Sequence, residues 1–127
     1  MNRHFLGTWL LDSYETQRPD GGIEHPLGDS PVGTFAFDES GYFSVQLGPG
    51  PSGGAGYTAF FGTWRTDSDG EAGLNVLTLQ AGSNPERISG EQHRHFTFLE
   101  PDLLRMRPPQ GADGSQSTIM WRRAHAP

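Results

Sequence analysis

Apolar positions along this chain alternate with polar ones in short runs, and a cluster of glycine, proline or acidic residues ends each run. Alternation with a period of two puts one row of side chains on each face of a strand, whereas a helix shows apolar residues at i, i+3, i+4 and i+7. No 12-residue window of the helical kind is free of Gly or Pro. The pattern predicts strands at about Phe5–Glu15, Gly33–Asp38, Tyr42–Leu47, Tyr57–Asp67, Gly73–Ala81, Glu91–Leu99, Leu103–Arg107 and Ser117–Ala124. Between them lie Pro19-Asp20-Gly21-Gly22, Asp38-Glu39-Ser40-Gly41, Asp67-Ser68-Asp69-Gly70, Glu100-Pro101-Asp102 and Gly111-Ala112-Asp113-Gly114, all with turn chemistry, and a longer Gly/Pro loop from Gly48 to Gly56.

Eight or so short strands joined in sequence by tight turns suggest an antiparallel up-and-down meander. An open meander leaves two unpaired edges that invite aggregation, and closing the sheet removes both. The expected fold is therefore an all-β, eight-stranded antiparallel barrel, with room inside for one small ligand. A two-sheet sandwich is the alternative architecture. One domain spanning 1–127 is expected from the length.

The alternation also says which row faces inward. On the third and fourth runs the apolar rows are Phe35 and Phe37, then Phe43, Val45 and Leu47. Further on, Phe96 and Phe98 share a face, as do Leu104 and Met106, and Ile119, Trp121 and Arg123. Candidates to line a lumen are Phe35, Phe37, Phe43, Val45 and Tyr57 in the first half. In the second half they are Trp64, Arg94, Phe96, Phe98, Met106 and Trp121. Arg94 stands out because it shares the row of Phe96 and Phe98, where a cation is costly unless paired. It reads either as an anchor for a ligand carboxylate, enolate or phenolate, or as a barrel-end arginine held by Glu91, Glu100 or backbone carbonyls. Tyr14, Tyr42, Tyr57 and Gln46 are further hydrogen-bonding residues for a cavity.

The first and last strands meet where the barrel closes. There Trp9 would sit against Arg122 or Arg123, and Arg123 shares the inward row. An internal echo joins Leu6-Gly7-Thr8-Trp9-Leu10-Leu11-Asp12-Ser13 to Phe61-Gly62-Thr63-Trp64-Arg65-Thr66-Asp67-Ser68. Two strands entering the barrel by the same geometry would explain it, with each Trp plugging an end and Asp12 and Asp67 at strand ends.

Composition narrows the partners. A net charge of −6 and a pI near 5.2 argue against nucleic acid and against an anionic membrane surface. The absence of Cys removes disulfides and thiolate chemistry. No apolar leader follows Met1-Asn2-Arg3-His4, and no run approaches the length of a membrane span, so a cytoplasmic location and a monomer or homodimer are expected. All nine basic residues are arginine, which suggests a GC-rich source genome. No nucleophile elbow, phosphate loop or metalloprotease helix is present. His93 and His95 fall on the solvent row, so neither a metal nor a cofactor is expected.

The opening Phe5-Leu6-Gly7-Thr8-Trp9-Leu10-Leu11-Asp12-Ser13-Tyr14-Glu15, with the terminal Trp121-Arg122-Arg123, resembles a calycin, the superfamily of lipocalins and fatty-acid-binding proteins. Further stretches make the chain similar to the bacterial and fungal lipocalin-like domain family. They are Pro26-Leu27-Gly28, Gly33-Thr34-Phe35-Ala36-Phe37, Gly41-Tyr42-Phe43-Ser44-Val45-Gln46-Leu47, and Gly56-Tyr57-Thr58-Ala59-Phe60-Phe61-Gly62-Thr63-Trp64. Gly82-Ser83-Asn84-Pro85, Gly90, Arg94, Phe96 and Pro108-Pro109 continue it. The resemblance implies a small-ligand barrel and no shared catalytic motif. Where family members carry a His ahead of the Ser-Asn-Pro stretch, this chain has Val76-Leu77-Thr78-Leu79. The expected function is binding of a hydrophobic or amphipathic small molecule in the lumen. The alternative is a cofactor-independent cyclase or isomerase of polyketide-type natural-product biosynthesis, working by confinement.

Overall fold

In a computed structural model, which describes residues 1–50, 56–87 and 90–125, the alternating runs form nine strands. They are β1 Gly7–Gln17, β2 Ile23–Glu24, β3 Val32–Phe37, β4 Tyr42–Gly48, β5 Thr58–Thr66, β6 Ala72–Gly82, β7 Glu91–Glu100, β8 Leu103–Arg107 and β9 Gln116–Arg123. Each pairs antiparallel with the next from β3 to β9, and β1 pairs with both β3 and β9, which closes the sheet. The result is the expected eight-stranded up-and-down barrel. The two-residue β2 is an annex on the far end of β1, too short to leave a pattern in the sequence.

Turns of different length gather at opposite rims. Residues 38–41, 67–71 and 101–102 turn the chain at one rim, while β1, β4, β6 and β8 end toward the other, where the connections in the sequence are longer. The short-turn rim is sealed. Residues Arg3–Phe5, expected to begin the first strand, instead make a 3₁₀ turn capped by the Asn2 side chain. Asn2 is fully buried and its amide nitrogen donates to the Ser68 and Gly70 carbonyls at 2.9 and 3.0 Å, tying the turn to the β5–β6 hairpin. That places Phe5 in the middle of the barrel end, with ring centroids of Phe37, Phe96 and Phe98 at 5.0, 4.8 and 5.0 Å in edge-on contact.

Trp9 and Arg123 complete the seal. The Trp9 indole N–H donates to the Phe5 carbonyl at 2.9 Å, and the Arg123 guanidinium lies 4.2 Å from the indole centroid. Arg123 Nε donates to Asp102 Oδ1 at 2.9 Å, and its terminal nitrogens donate to the carbonyls of Leu6, His4 and Pro101. Arg122, the other candidate, points outward toward Asp12 at 3.8 Å.

The internal echo has a different basis from the one expected. β1 leaves the sealed rim and β5 arrives at it, so the two strands do not enter by the same geometry. What they share is a buried Trp whose N–H reaches a backbone carbonyl; for Trp64 it is that of Asp38, at 3.3 Å. The glycines serve separate ends. Gly7 has φ of 116°, whereas at Gly62 a Cβ would lie 1.8 Å from the Thr78 carbonyl oxygen, where β6 bulges against β5. Asp67 is a strand-end residue and accepts from Leu74 N–H at 2.7 Å. Asp12 is not; it is the extra residue of a bulge within β1.

Candidate functional site

All eight barrel strands send side chains into one cavity of about 150 Å³, which lies on the long-loop side of the aromatic seal. Its walls are Tyr14 from β1, Phe35 from β3, Val45 and Leu47 from β4, and Thr58 and Phe60 from β5. Leu77 from β6, Arg94 from β7, Met106 from β8, and Ile119 and Trp121 from β9 complete the ring. Pro26, Leu27 and Gly56, from the loops of that rim, lie over it.

Of the lumen candidates, Phe35, Val45, Arg94, Met106 and Trp121 meet in this cavity. Phe37, Trp64, Phe96 and Phe98 also face inward, but they pack around Phe5 in the sealed end. Phe43 is buried between Phe35 and Phe60, each with its ring centroid 5.9 Å away. Tyr57 is the exception. It precedes β5, is 49% exposed, and lies on the outer wall with its hydroxyl donating to the Gly50 carbonyl at 2.5 Å. Tyr57 and Trp64 are seven residues apart, so one regular strand cannot turn both inward. Gly48 accommodates the outward ring, since a Cβ there would overlap it.

Several lining residues were absent from the expected set. Thr58 and Phe60 follow from the same parity that turns Trp64 inward. Tyr14, expected as a hydrogen-bonding residue for the cavity, reaches it because of the bulge. Before it Trp9 and Leu11 face inward, and the unpaired Asp12 shifts the phase so that Tyr14 and Thr16 do so after it. Tyr42 is exposed and Gln46 donates to Thr34 on the outer wall, so of these hydrogen-bonding residues Tyr14 alone lines the cavity. Residues 51–55 of the Gly48–Gly56 loop lie outside the described residues.

The polar groups of the interior are few. Arg94 is the charged residue among the described ones that line the cavity. Its hydrogen bonds include Nη1 to the His93 carbonyl at 2.9 Å and Nη2 to Gln92 Oε1 at 2.8 Å, so a backbone carbonyl does help to hold it. Directly opposite it on β6 stands Asn75, fully buried, with neither amide atom hydrogen-bonded within the protein. Trp121, on the cavity wall, likewise buries its Nε1 without a protein acceptor. Leaving a buried donor or acceptor unmade costs about 1–3 kcal/mol.

The opposite face of β7 carries the exposed His93 and His95. There a hydrogen bond from His93, then Arg65, holds the Glu91 carboxyl below the ordinary range, so these groups are satisfied with one another outside the barrel. No group of three or more His, Cys, Asp or Glu among the described residues is placed to hold a metal ion. No helix among them is long and apolar enough to cross a membrane.

The result is a closed eight-stranded antiparallel barrel, sealed at one rim by a 3₁₀ turn and an Arg-on-Trp contact and holding a cavity toward the other. The family model of the lipocalin-like domain matches residues 6–53, which bears out the resemblance read from the sequence. No curated protein matches the chain. Among solved structures, a de novo designed fluorescence-activating β-barrel is similar at 17% identity and a TM-score of 0.51, covering 97% of this chain and 96% of that one. A redesigned β-barrel, mFAP0, bound to DFHBI is similar at 16% identity and a TM-score of 0.47, over 95% and 100%. At these identities the likeness extends to the fold alone.

Proposed function

We propose that the protein binds a small hydrophobic or amphipathic molecule in the barrel lumen. The observation that carries this reading is the cavity itself, walled by side chains from every barrel strand, most of them apolar, with one guanidinium on its wall. Apolar burial supplies affinity at about 25 cal/mol per Å², and the placed cation supplies selectivity. The size favours a compact ligand. An apolar cavity of roughly 150 Å³ accommodates benzene, and drug-sized sites run to about 300–1,000 Å³. A folded polyene or polyketide chain, as the cyclisation alternative requires, asks for more room than this cavity offers.

The test is a titration of intrinsic tryptophan fluorescence with single-ring aromatic acids and their neutral isosteres. Trp121 lines the cavity while Trp9 and Trp64 lie in the seal, so the saturable signal is expected to vanish in Trp121→Phe and persist when either other Trp is changed to Phe. A flat response in the native protein would sink the reading. Arg94→Met is expected to weaken acids by about tenfold to a hundredfold, the range of a charge-assisted hydrogen bond worth ~1.5–3 kcal/mol. Neutral isosteres should change little. Equal losses for both would show that Arg94 shapes the cavity and does not read charge.

A further inference from the structure

The inward row of β6 is apolar except at one position. It runs Gly73, Asn75, Leu77, Leu79, and Asn75 is as fully enclosed as the leucine beside it. Leucine or valine would fill such a site with no polar debt, so an amide there needs a partner that the folded chain does not itself provide. Its place adjoins the cavity. Asn75 itself lies behind the cavity lining, one inward position from Leu77 and directly across the ladder from Arg94, both of which line the cavity. Such cross-strand neighbours bring their Cβ atoms to roughly 5 Å, so a ligand reaches the Asn75 amide where those side chains give way. Trp121, which also lines the cavity, holds a second buried group without a protein partner, a lone donor.

We infer that Asn75 is a specificity-determining residue of the lumen, and that with Trp121 it selects a compact planar aromatic bearing a carboxamide or lactam edge. This inference rests on the lumen being a binding site. An asparagine amide offers one donor face and one acceptor, and only a ligand edge that offers both in return satisfies it. A carboxylate meets the donor and leaves Oδ1 unpaired; a hydrocarbon leaves both. A site with unpaired polar groups rejects such ligands far more strongly than an apolar pocket rejects a polar one. Trp121 Nε1 adds a donor for a carbonyl or ring acceptor elsewhere on the same ligand. The same reasoning makes Asn75 a burden on the empty barrel, held for recognition at the expense of stability.

The experiment compares benzamide with ethylbenzene, similar in size and shape, by calorimetric titration of the full chain, its Asn75→Leu variant and its Trp121→Phe variant. Melting temperatures are recorded without ligand. In the native protein benzamide is expected to bind at least tenfold more tightly than ethylbenzene. Asn75→Leu should remove that preference while raising the melting temperature, and Trp121→Phe should reduce the preference severalfold. An unchanged preference in Asn75→Leu overturns the inference, and so does a lowered melting temperature, which would mark the amide as a structural group satisfied by internal water. If ethylbenzene binds the native protein and benzamide binds no better, this inference fails while the lumen reading stands. If neither binds, nor any aromatic acid, the lumen reading fails and takes Asn75 with it.

Discussion

Trp9→Ala is expected to destabilise the barrel by about 3–5 kcal/mol, the range for removing a fully buried Trp or Phe from a packed core. That is a large part of the 5–15 kcal/mol that ordinarily holds a domain together. Two further losses push toward the upper end. The Phe5 carbonyl loses the indole N–H at 2.9 Å, and Arg123 loses the ring face 4.2 Å away. Arg123 would keep Asp102 and its three carbonyl acceptors, so its charge stays paired and the damage comes from the void beneath it. Urea denaturation followed by far-ultraviolet circular dichroism gives the number. A double-mutant cycle with Arg123→Met should recover a coupling of about 0.5–2 kcal/mol for the cation–π contact. A loss under about 1 kcal/mol in Trp9→Ala would mean that the seal does not depend on this residue.

Phe5→Ala carries a comparable expected loss, about 3–5 kcal/mol, from a residue outside every strand. Phe5 is fully buried, and its ring meets Phe37, Trp64, Phe96 and Phe98 together. Those four belong to β3, β5 and β7, so the ring on the 3₁₀ turn joins strands that are not neighbours around the barrel. Phe5→Leu, which keeps most of the volume, should cost less than about 1.5 kcal/mol. A similar loss in both variants would point to the backbone of the turn, anchored by Asn2, as the stabilising element in place of the ring.

The barrel was legible because period-two alternation survives in nearly every run and because Asp38-Glu39-Ser40-Gly41 and its counterparts carry unmistakable turn chemistry. Gly41 has φ of 87° and Asp38 Oδ1 accepts from the Ser40 and Tyr42 amides, which is what that sequence asks for. What alternation cannot report is depth along the strand. Phe35 and Phe37 share a row, yet one faces the cavity and the other the seal, since the level at which packing gives way to space depends on all eight strands at once. Alternation is also silent where its phase breaks. Asp12 interrupts β1, so Tyr14 lines the cavity although it is out of phase with Trp9. Phe5 sits in a 3₁₀ turn too short for periodicity to separate it from the strand that follows. Pro26 and Leu27 lie in a loop, where no periodicity exists to place them over the cavity.

The bulge at Asp12 sets a rule about chain length. Its side chain is nearly half exposed and its ion pair with Arg122 is loose, so what occupies the position matters little. The position itself works as a spacer between two reading frames of one strand: Trp9 and Leu11 in one, Tyr14 and Thr16 in the other. Removing the residue would force a choice between the frames, turning outward either the tryptophan that seals the barrel or the tyrosine that faces its cavity. Relatives of this chain can therefore vary in letter at this point, but a change in count there must be matched by a compensating change along the same strand.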